Sequence, residues 1–466
     1  MRTIGAIFTL TLRSLMRSRF LLSLVLLSLA VVFVLPLLVQ DDGTAAGRAQ
    51  VLLRYTLGVV MFLLSVGTLG VGPGAVAGEL ESRRLQQVLV KPVRFWQIWA
   101  GKWLALAAMN AVVLGGSILL ADGMLRFSLR ESRLTAEQAA ELTRKVRVSR
   151  IALPPRETAP DAAEVTAKLA ALMARGMVSP QTPQAEAWRT AVQRIRFERN
   201  IVPPGGVRRW IFQDGLDGVI QGPLTLQAEF LTSGIAGPGE LEGEWTVGIS
   251  GQEPFFRTRS RLRPMVPQEI VIPAFPPTRE PLEAAFRHEG SANAPAIIFH
   301  VERGVRLLAP SGSYGMNLFR AYILMLLKLV LLAAVGVTMG SLFSPPVAVL
   351  TSYFALAVIG FSGYVGWVAE TGVFYVAHEH AAAGHADEHE EPALVLRLLE
   401  PPLKASYRVL YRVLGPLQAL DPLERVAGGE RVPPADVARG FATMGVLGSG
   451  LLALLAAGVF GRRETG

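Results

Sequence analysis

The sequence predicts an all-α polytopic membrane domain of six transmembrane helices, with a large extracytoplasmic α+β insert between the third and fourth spans. Three observations lead there. Hydrophobic residues fill 51% of the 466 positions and mean hydropathy is +0.38, which suits an integral membrane protein with a polar insert better than a set of soluble domains. Six apolar runs approach the ~20 residues that cross a hydrocarbon core. Between Arg126 and Ser313 no such run occurs, so one polar segment of domain size separates the first three from the last three.

Residues 1–19 alternate apolar positions with Arg13, Arg17 and Arg19, as expected of an interfacial helix facing anionic lipid. The first span follows from Phe20 to Val39, with Pro36 near its end. A signal peptide is the competing reading, with small residues at Ala45 and Ala46. It is disfavoured because the apolar run is long and a second span follows promptly. After a polar loop from Asp41 to Arg54, the second span runs from Tyr55 to Ala77. Its Gly72-Pro73-Gly74 is either a bend or a site of close helix packing. The third span, Trp103 to Ala121, completes the segment 20–122.

The insert, residues 123–315, changes composition partway. Segments 132–147, 161–175 and 183–200 read as polar or amphipathic helices. After Pro203-Pro204-Gly205-Gly206 the pattern turns to short alternating strands over 224–231, 244–249, 255–263, 269–272 and 296–303, a small β-sandwich. Phe255-Phe256-Arg257 with Arg261 and Arg263 is either a ligand contact or a solvated strand face.

Residues 316–368 hold the fourth span (Leu318 to Phe343), the Ser344-Pro345-Pro346 turn and the fifth span (Val347 to Val368). Lys328 lies well inside the fourth. An ionisable residue at that depth marks a possible transport path or pairs with a carboxylate such as Asp122; snorkelling to water is the structural reading. Residues 369–438 form a second outer loop. It contains His378, His380, His385 and His389 among acidic residues; His385 and His389, four apart, could share a divalent Zn²⁺ or Cu²⁺ on a helix face. The segment is equally a low-complexity polar loop, and without HExxH it is no metalloprotease site. Amphipathic helices are expected over 393–423. Residues 439–466 supply the sixth span and a tail ending in Arg462-Arg463.

Charge sets the orientation. The net +9 gathers at Arg13, Arg17 and Arg19, at Arg83, Arg84, Lys91, Arg94 and Lys102, and at Arg462 and Arg463, whereas Arg48 and Arg54 are balanced by Asp41 and Asp42. The positive-inside rule then places both termini in the cytoplasm and the two large loops outside, in a multi-pass protein of the inner (cell) membrane surrounded by lipid. No zinc-finger spacing or aromatic-basic signature accompanies the charge, so nucleic acid is not an expected partner. Cysteine is absent, which excludes disulfides and thiolate metal sites. No serine-histidine-acid or carboxylate constellation lies in the spans, so no catalytic residue is expected.

The most informative stretch is Glu79 to Lys102, ELESRRLQQVLVKPVRFWQIWAGK. Leu80, Leu85, Val88 and Leu89 recur at helical spacing between charged residues, Pro92 ends that helix, and Phe95, Trp96, Ile98 and Trp99 suit the membrane interface. The stretch resembles the membrane subunits of type-2 ATP-binding-cassette exporters, particularly those associated with nitrous-oxide-reductase maturation and gliding machinery. That family carries glutamates after the second span, a short helix, an apolar-Pro-Val-Arg turn and a Gly-Lys pair opening the third span. The matching positions are Glu79 and Glu81, Leu89 to Arg94 (with Pro92), and Gly101-Lys102, and Gly415-Pro416-Leu417 to Asp421 resembles the family's stretch before the last span. The resemblance implies a permease whose segment 79–102, including Arg83 and Arg84, rests on a separate ATPase subunit and couples ATP hydrolysis to transport. It also implies a second permease subunit. The chain has no GxxxxGK[ST] sequence, so ATP and Mg²⁺ belong to the partner. Two other functions remain: a scaffold whose outer domain binds an envelope protein without transport, and a secondary transporter, which would need an internal repeat that is absent here.

Overall fold

The computed structural model describes residues 2–38, 45–81, 93–130, 135–156, 158–179, 182–212, 223–233, 241–273, 278, 280–291, 294–301, 304–360 and 420–464. They form two compact units, Met1–Val148 with Ser313–Gly466, and Ser149–Gly312.

The first unit is helical. Helix α1 (Arg2–Arg17) meets α2 (Arg19–Leu38) at a 70° bend. Helix α3 (Ala45–Glu81) is followed by α4 (Phe95–Arg130) and α5 (Ala136–Lys145). After the second unit come α8 (Tyr314–Leu342), α9 (Pro345–Gly360), α10 (Leu423–Ala427) and α11 (Pro434–Gly440). A π-helix (Phe441–Gly448) then leads into α12 (Ser449–Glu464).

Four of these helical stretches are long and apolar enough to cross a membrane: Ala46–Glu79, Phe95–Phe127, Tyr314–Leu342 and Pro434–Val459. The bent α1–α2 pair makes up to five. The fifth run of the sequence reading is represented by the 16-residue α9, which at 1.5 Å per residue reaches about 24 Å; the rest of that run lies outside the described residues. The described residues therefore carry four or five of the six expected spans.

One expectation is corrected, and one pair of alternatives gains support on one side. Asp41 to Arg54 was expected as a polar loop, yet α3 begins at Ala45. Alanine and arginine are good helix formers, and Arg54 reaches Glu424 of α10 at 2.7 Å. At Gly72-Pro73-Gly74, where a bend and close packing stood as alternatives, α3 continues through Pro73 and the close approach is present. The reason is packing: a Cβ at Gly340 of α8 would sit 2.3 Å from the Pro73 carbonyl oxygen, and one at Gly72 would sit 3.3 Å from the Gly336 Cα. The two backbones cross where Gly72, Gly336 and Gly340 carry no side chain, against the Pro73 backbone and ring. Buried polar pairs tie the same bundle. The Asn110 amide donates to Thr68 Oγ1 at 2.9 Å, and the Tyr322 and Tyr353 hydroxyls donate to the carbonyls of Ala111 and Val66.

In the second unit, α6 (Ala162–Ala174) and α7 (Gln184–Arg199) pack through Val165, Leu172, Ala187, Ala191 and Ile195. The strands are β1 (Arg150–Leu153), β2 (Ile201–Val202), β3 (Val207–Phe212), β4 (Leu224–Ala228), β5 (Phe230–Thr232) and β6 (Leu241–Ile249). They continue as β7 (Phe256–Leu262), β8 (Gln268–Ile272), β9 (Leu282–His288), β10 (Ile297–Phe299) and β11 (Val305–Pro310). Three antiparallel sheets result, ordered β1-β11-β4-β8, β2-β10-β5 and β3-β9-β6-β7. Alternation explains the core: every second residue of β4 and β9 is buried, and Trp210, Phe212, Phe230, Trp245, Phe286 and Phe299 meet in one cluster. Trp245 and Phe286 lie 4.8 Å apart by ring centroid. A helical lead followed by β-structure is as expected. The expected strand list lacked β1, β2, β3, β9 and β11; in β9 the Glu283-Ala284-Ala285 stretch has little β character of its own and is held by its register with β3 and β6.

Candidate functional site

The expected coupling residues at the two ends of the 79–102 stretch meet in space. Glu79 is in the last turn of α3 and Lys102 in the second turn of α4. The Lys102 ammonium donates to Glu79 Oε2 at 2.7 Å and to the Ala75 carbonyl at 2.5 Å. Its side chain is 2% exposed and that of Glu79 43%. A cation removed from water needs a counter-charge and hydrogen bonds, and α3 supplies both from one turn. The pair therefore clamps α3 to α4 where the intervening segment leaves and returns.

The surrounding residues fix this geometry. Arg94 precedes α4; its backbone N–H donates to Gln97 Oε1 at 3.2 Å while its carbonyl accepts from the Gln97 N–H, a reciprocal cap on the helix start. Gly101 lets α1 come close, since a Cβ there would stand 2.8 Å from Ile7 Cγ2. Helices α1, α3 and α4 line an open cleft of about 390 Å³ whose lining includes Thr11, Ser14, Ser18, Glu79 and Lys102. Glu81 is exposed at the end of α3. Arg83, Arg84 and Pro92 lie outside the described residues.

Trp99 departs from the interfacial role expected of it. It is buried, stacks on Trp103 with centroids 5.5 Å apart, and donates to Thr338 Oγ1 of α8 at 3.1 Å. Trp103 donates to the Val330 carbonyl at 2.9 Å. Through these two indoles the α4 end of the clamp is bonded to α8.

Lys328 is paired, but not with Asp122. Its Nζ lies 3.1 Å from Asp421 Oδ2, and Asp122 instead receives Arg126 at 2.7 Å one turn along α4. The reason is the course of the chain before α10: Asp421 also accepts from the Leu423 N–H, which fixes that turn beside α8. The pair is moderately accessible, at 20% and 47% side-chain exposure.

A feature absent from the sequence reading adjoins Lys328. The π-helix Phe441–Gly448 packs over α8, with a Cβ at Gly445 falling 3.3 Å from Leu327 and one at Gly448 2.8 Å from Leu331. Its wider turn is marked by Ser449 Oγ donating to the Met444 carbonyl five residues back. π-segments inside α-helices concentrate at functional sites. The glycines of FATMGVLGSG were the visible signal, though glycine is common in membrane helices for packing alone.

The expected metal ligands His378, His380, His385 and His389 lie outside the described residues. Among the described residues no group of three histidine or carboxylate side chains is placed to hold a metal ion.

Comparison with protein-family models, curated proteins and solved structures finds no match.

Proposed function

We propose that this chain is the membrane permease subunit of an ATP-binding-cassette exporter, driven by a separate ATPase subunit seated on residues 79–102. The observation that supports it is the Glu79–Lys102 clamp. Force applied to the segment between these residues would reach α3 and α4 together, because an ion pair with a buried ammonium joins their ends. From α4 the path continues through Trp99 and Trp103 to α8, and from α3 through the Gly72 and Pro73 crossing with Gly336 and Gly340. Helix α8 carries Lys328, beside the π-helix, where a substrate or a changing charge pair would respond. Coupling of this kind requires different contacts in two states; the Lys328–Asp421 pair, partly exposed, is the group best suited to open and close. In this reading the protein has six spans in the inner membrane with cytoplasmic termini. A second permease subunit completes it, ATP and Mg²⁺ stay on the ATPase, and a divalent metal at the histidine loop is optional.

The second reading is an assembly scaffold, favoured by the self-contained core of Ser149–Gly312, which suits binding to an envelope protein. One experiment separates them. Tagged full-length protein is purified in mild detergent beside a Glu79→Ala/Glu81→Ala variant, and co-purifying chains are identified. An ATPase subunit recovered with the parent and reduced at least fivefold in the variant supports the permease. Recovery of an envelope protein and no ATPase, with the spans folded, would leave the scaffold.

A further inference from the structure

The four-stranded sheet β3-β9-β6-β7 buries one face in the aromatic core and turns the other outward. Register fixes what the outer face displays. Arg287 stands opposite Val207 on one side and Glu244 on the other; Ala285 stands opposite Arg209 and Thr246; Thr246 stands opposite Arg257. Small residues, Ala285, Thr246 and Gly248, thus floor a shallow basin of about 390 Å³, and arginines rise around it. With strands ~4.8 Å apart, Arg209 on β3 and Arg257 on β7 stand roughly 14 Å from each other across three strand spacings.

The charges in the basin are incompletely matched. Arg209 and Arg257 approach Glu283 and Glu244 only to 3.6 Å. Arg287 is exposed and has no ion-pair partner among the described residues. The same face continues along β7 as Arg259 and Arg261, held loosely at 3.3 and 3.7 Å from Glu289 and Glu242. Arginines on β7 have an ordinary explanation, since charge on an edge strand deters pairing with foreign strands. That explanation does not extend to Arg287, which lies on the interior strand β9.

We propose that this basin binds an extended acidic polypeptide segment of a partner protein, with its carboxylates distributed over Arg209, Arg287 and Arg257. Guanidinium and carboxylate form paired, geometrically matched hydrogen bonds. Carboxylates spaced along a chain match cations spread over this width, whereas Glu244 and Glu283 inside the basin repel a compact multivalent anion placed at its centre. The inference stands apart from ATPase coupling and holds for permease and scaffold alike.

The test uses full-length protein in detergent and a fluorescent hexaglutamate peptide, read by polarisation at low and moderate salt. Saturable, salt-weakened binding is expected, reduced at least fivefold by Arg287→Ala and abolished by Arg209→Ala/Arg257→Ala/Arg287→Ala. Arg189→Ala, which removes an equal charge from the exposed face of α7, should leave it within twofold. Absence of binding to the parent protein, an equal loss with Arg189→Ala, or displacement of the peptide by inorganic phosphate at matched charge would each overturn the proposal.

Discussion

Replacing Glu79 by glutamine keeps the shape of the clamp and deletes its negative charge, leaving the Lys102 ammonium with the Ala75 carbonyl at 2.5 Å as its remaining named partner. Stranding a fully buried charge by removing its partner costs about 3–5 kcal/mol. Glu79 is 43% exposed, so water can approach the abandoned cation from that side. The cost then falls toward the ~1.5–3 kcal/mol of a hydrogen bond to a charged group, and about 2 kcal/mol is expected. Lys102→Met removes the cation and fills its space with a methylene chain, so Glu79→Gln added to it should cost almost nothing more. The two changes should therefore couple by about 1–2 kcal/mol in a double-mutant cycle, well above the ~0.3–0.5 kcal/mol scatter of independent sites. Thermal or denaturant unfolding in detergent, followed by tryptophan fluorescence, is the assay, because Trp99 and Trp103 lie in the same helix as Lys102. Additive effects, or a Glu79→Gln variant as stable as the parent, would refute the claim that this pair clamps α3 to α4.

Gly340→Ala places a methyl group where it would lie 2.3 Å from the Pro73 carbonyl oxygen; backbone cannot yield as a side-chain tip does, so a loss of at least 1–3 kcal/mol is expected in the same unfolding assay. Glu269→Gln disrupts the paired contacts that Arg150 makes at 3.0 and 3.2 Å, and with Arg150 3% exposed the second unit should lose about 3–5 kcal/mol, read as a lower unfolding midpoint. Burial works against ionisation of Glu198, but hydrogen bonds from Lys168 and Arg194 outweigh it and hold its carboxyl below the usual 4.5. The stabilisation is therefore full above the unfolded value and is lost as pH falls through the lower folded one. Because Glu198 is 37% exposed, solvent screening keeps the effect below ~1 kcal/mol. Glu198→Gln should therefore lower stability at pH 7 by up to about 1 kcal/mol and converge on the parent as pH falls well below 4.5, where the parent's carboxyl is also neutral; a variant as stable as the parent at pH 7, or a difference that persists at low pH, would refute the assignment.

Much of the architecture is local enough to be read directly. Apolar runs of bilayer length locate the helices 45–81, 95–130, 314–342 and 434–464 to within a few turns, since a membrane helix satisfies its own backbone and needs only apolar side chains. The alternation in β4, β6 and β7 is equally local. Glu79, Gly101 and Lys102 were legible as a group through their spacing and the family resemblance.

What the chain alone left open were choices among distant partners. Lys328 had several carboxylates to choose from, and only the turn carrying Asp421 decided it. Whether Gly72-Pro73 bends or packs depended on Gly336 and Gly340, far along the chain. Trp99 has the composition of an interface anchor and became a core donor because Thr338 of α8 lies beside it. Strand β9 has weak propensity and is held by two neighbours in register. Hydrophobicity and period act within a segment, so the sequence determined which segments are apolar enough to cross a membrane and which strongly alternating segments form strands. Charge pairing and close approach act between segments, so the tertiary structure decided that Glu79 meets Lys102, that Lys328 meets Asp421, and that Arg287 stands in its basin without an ion-pair partner among the described residues.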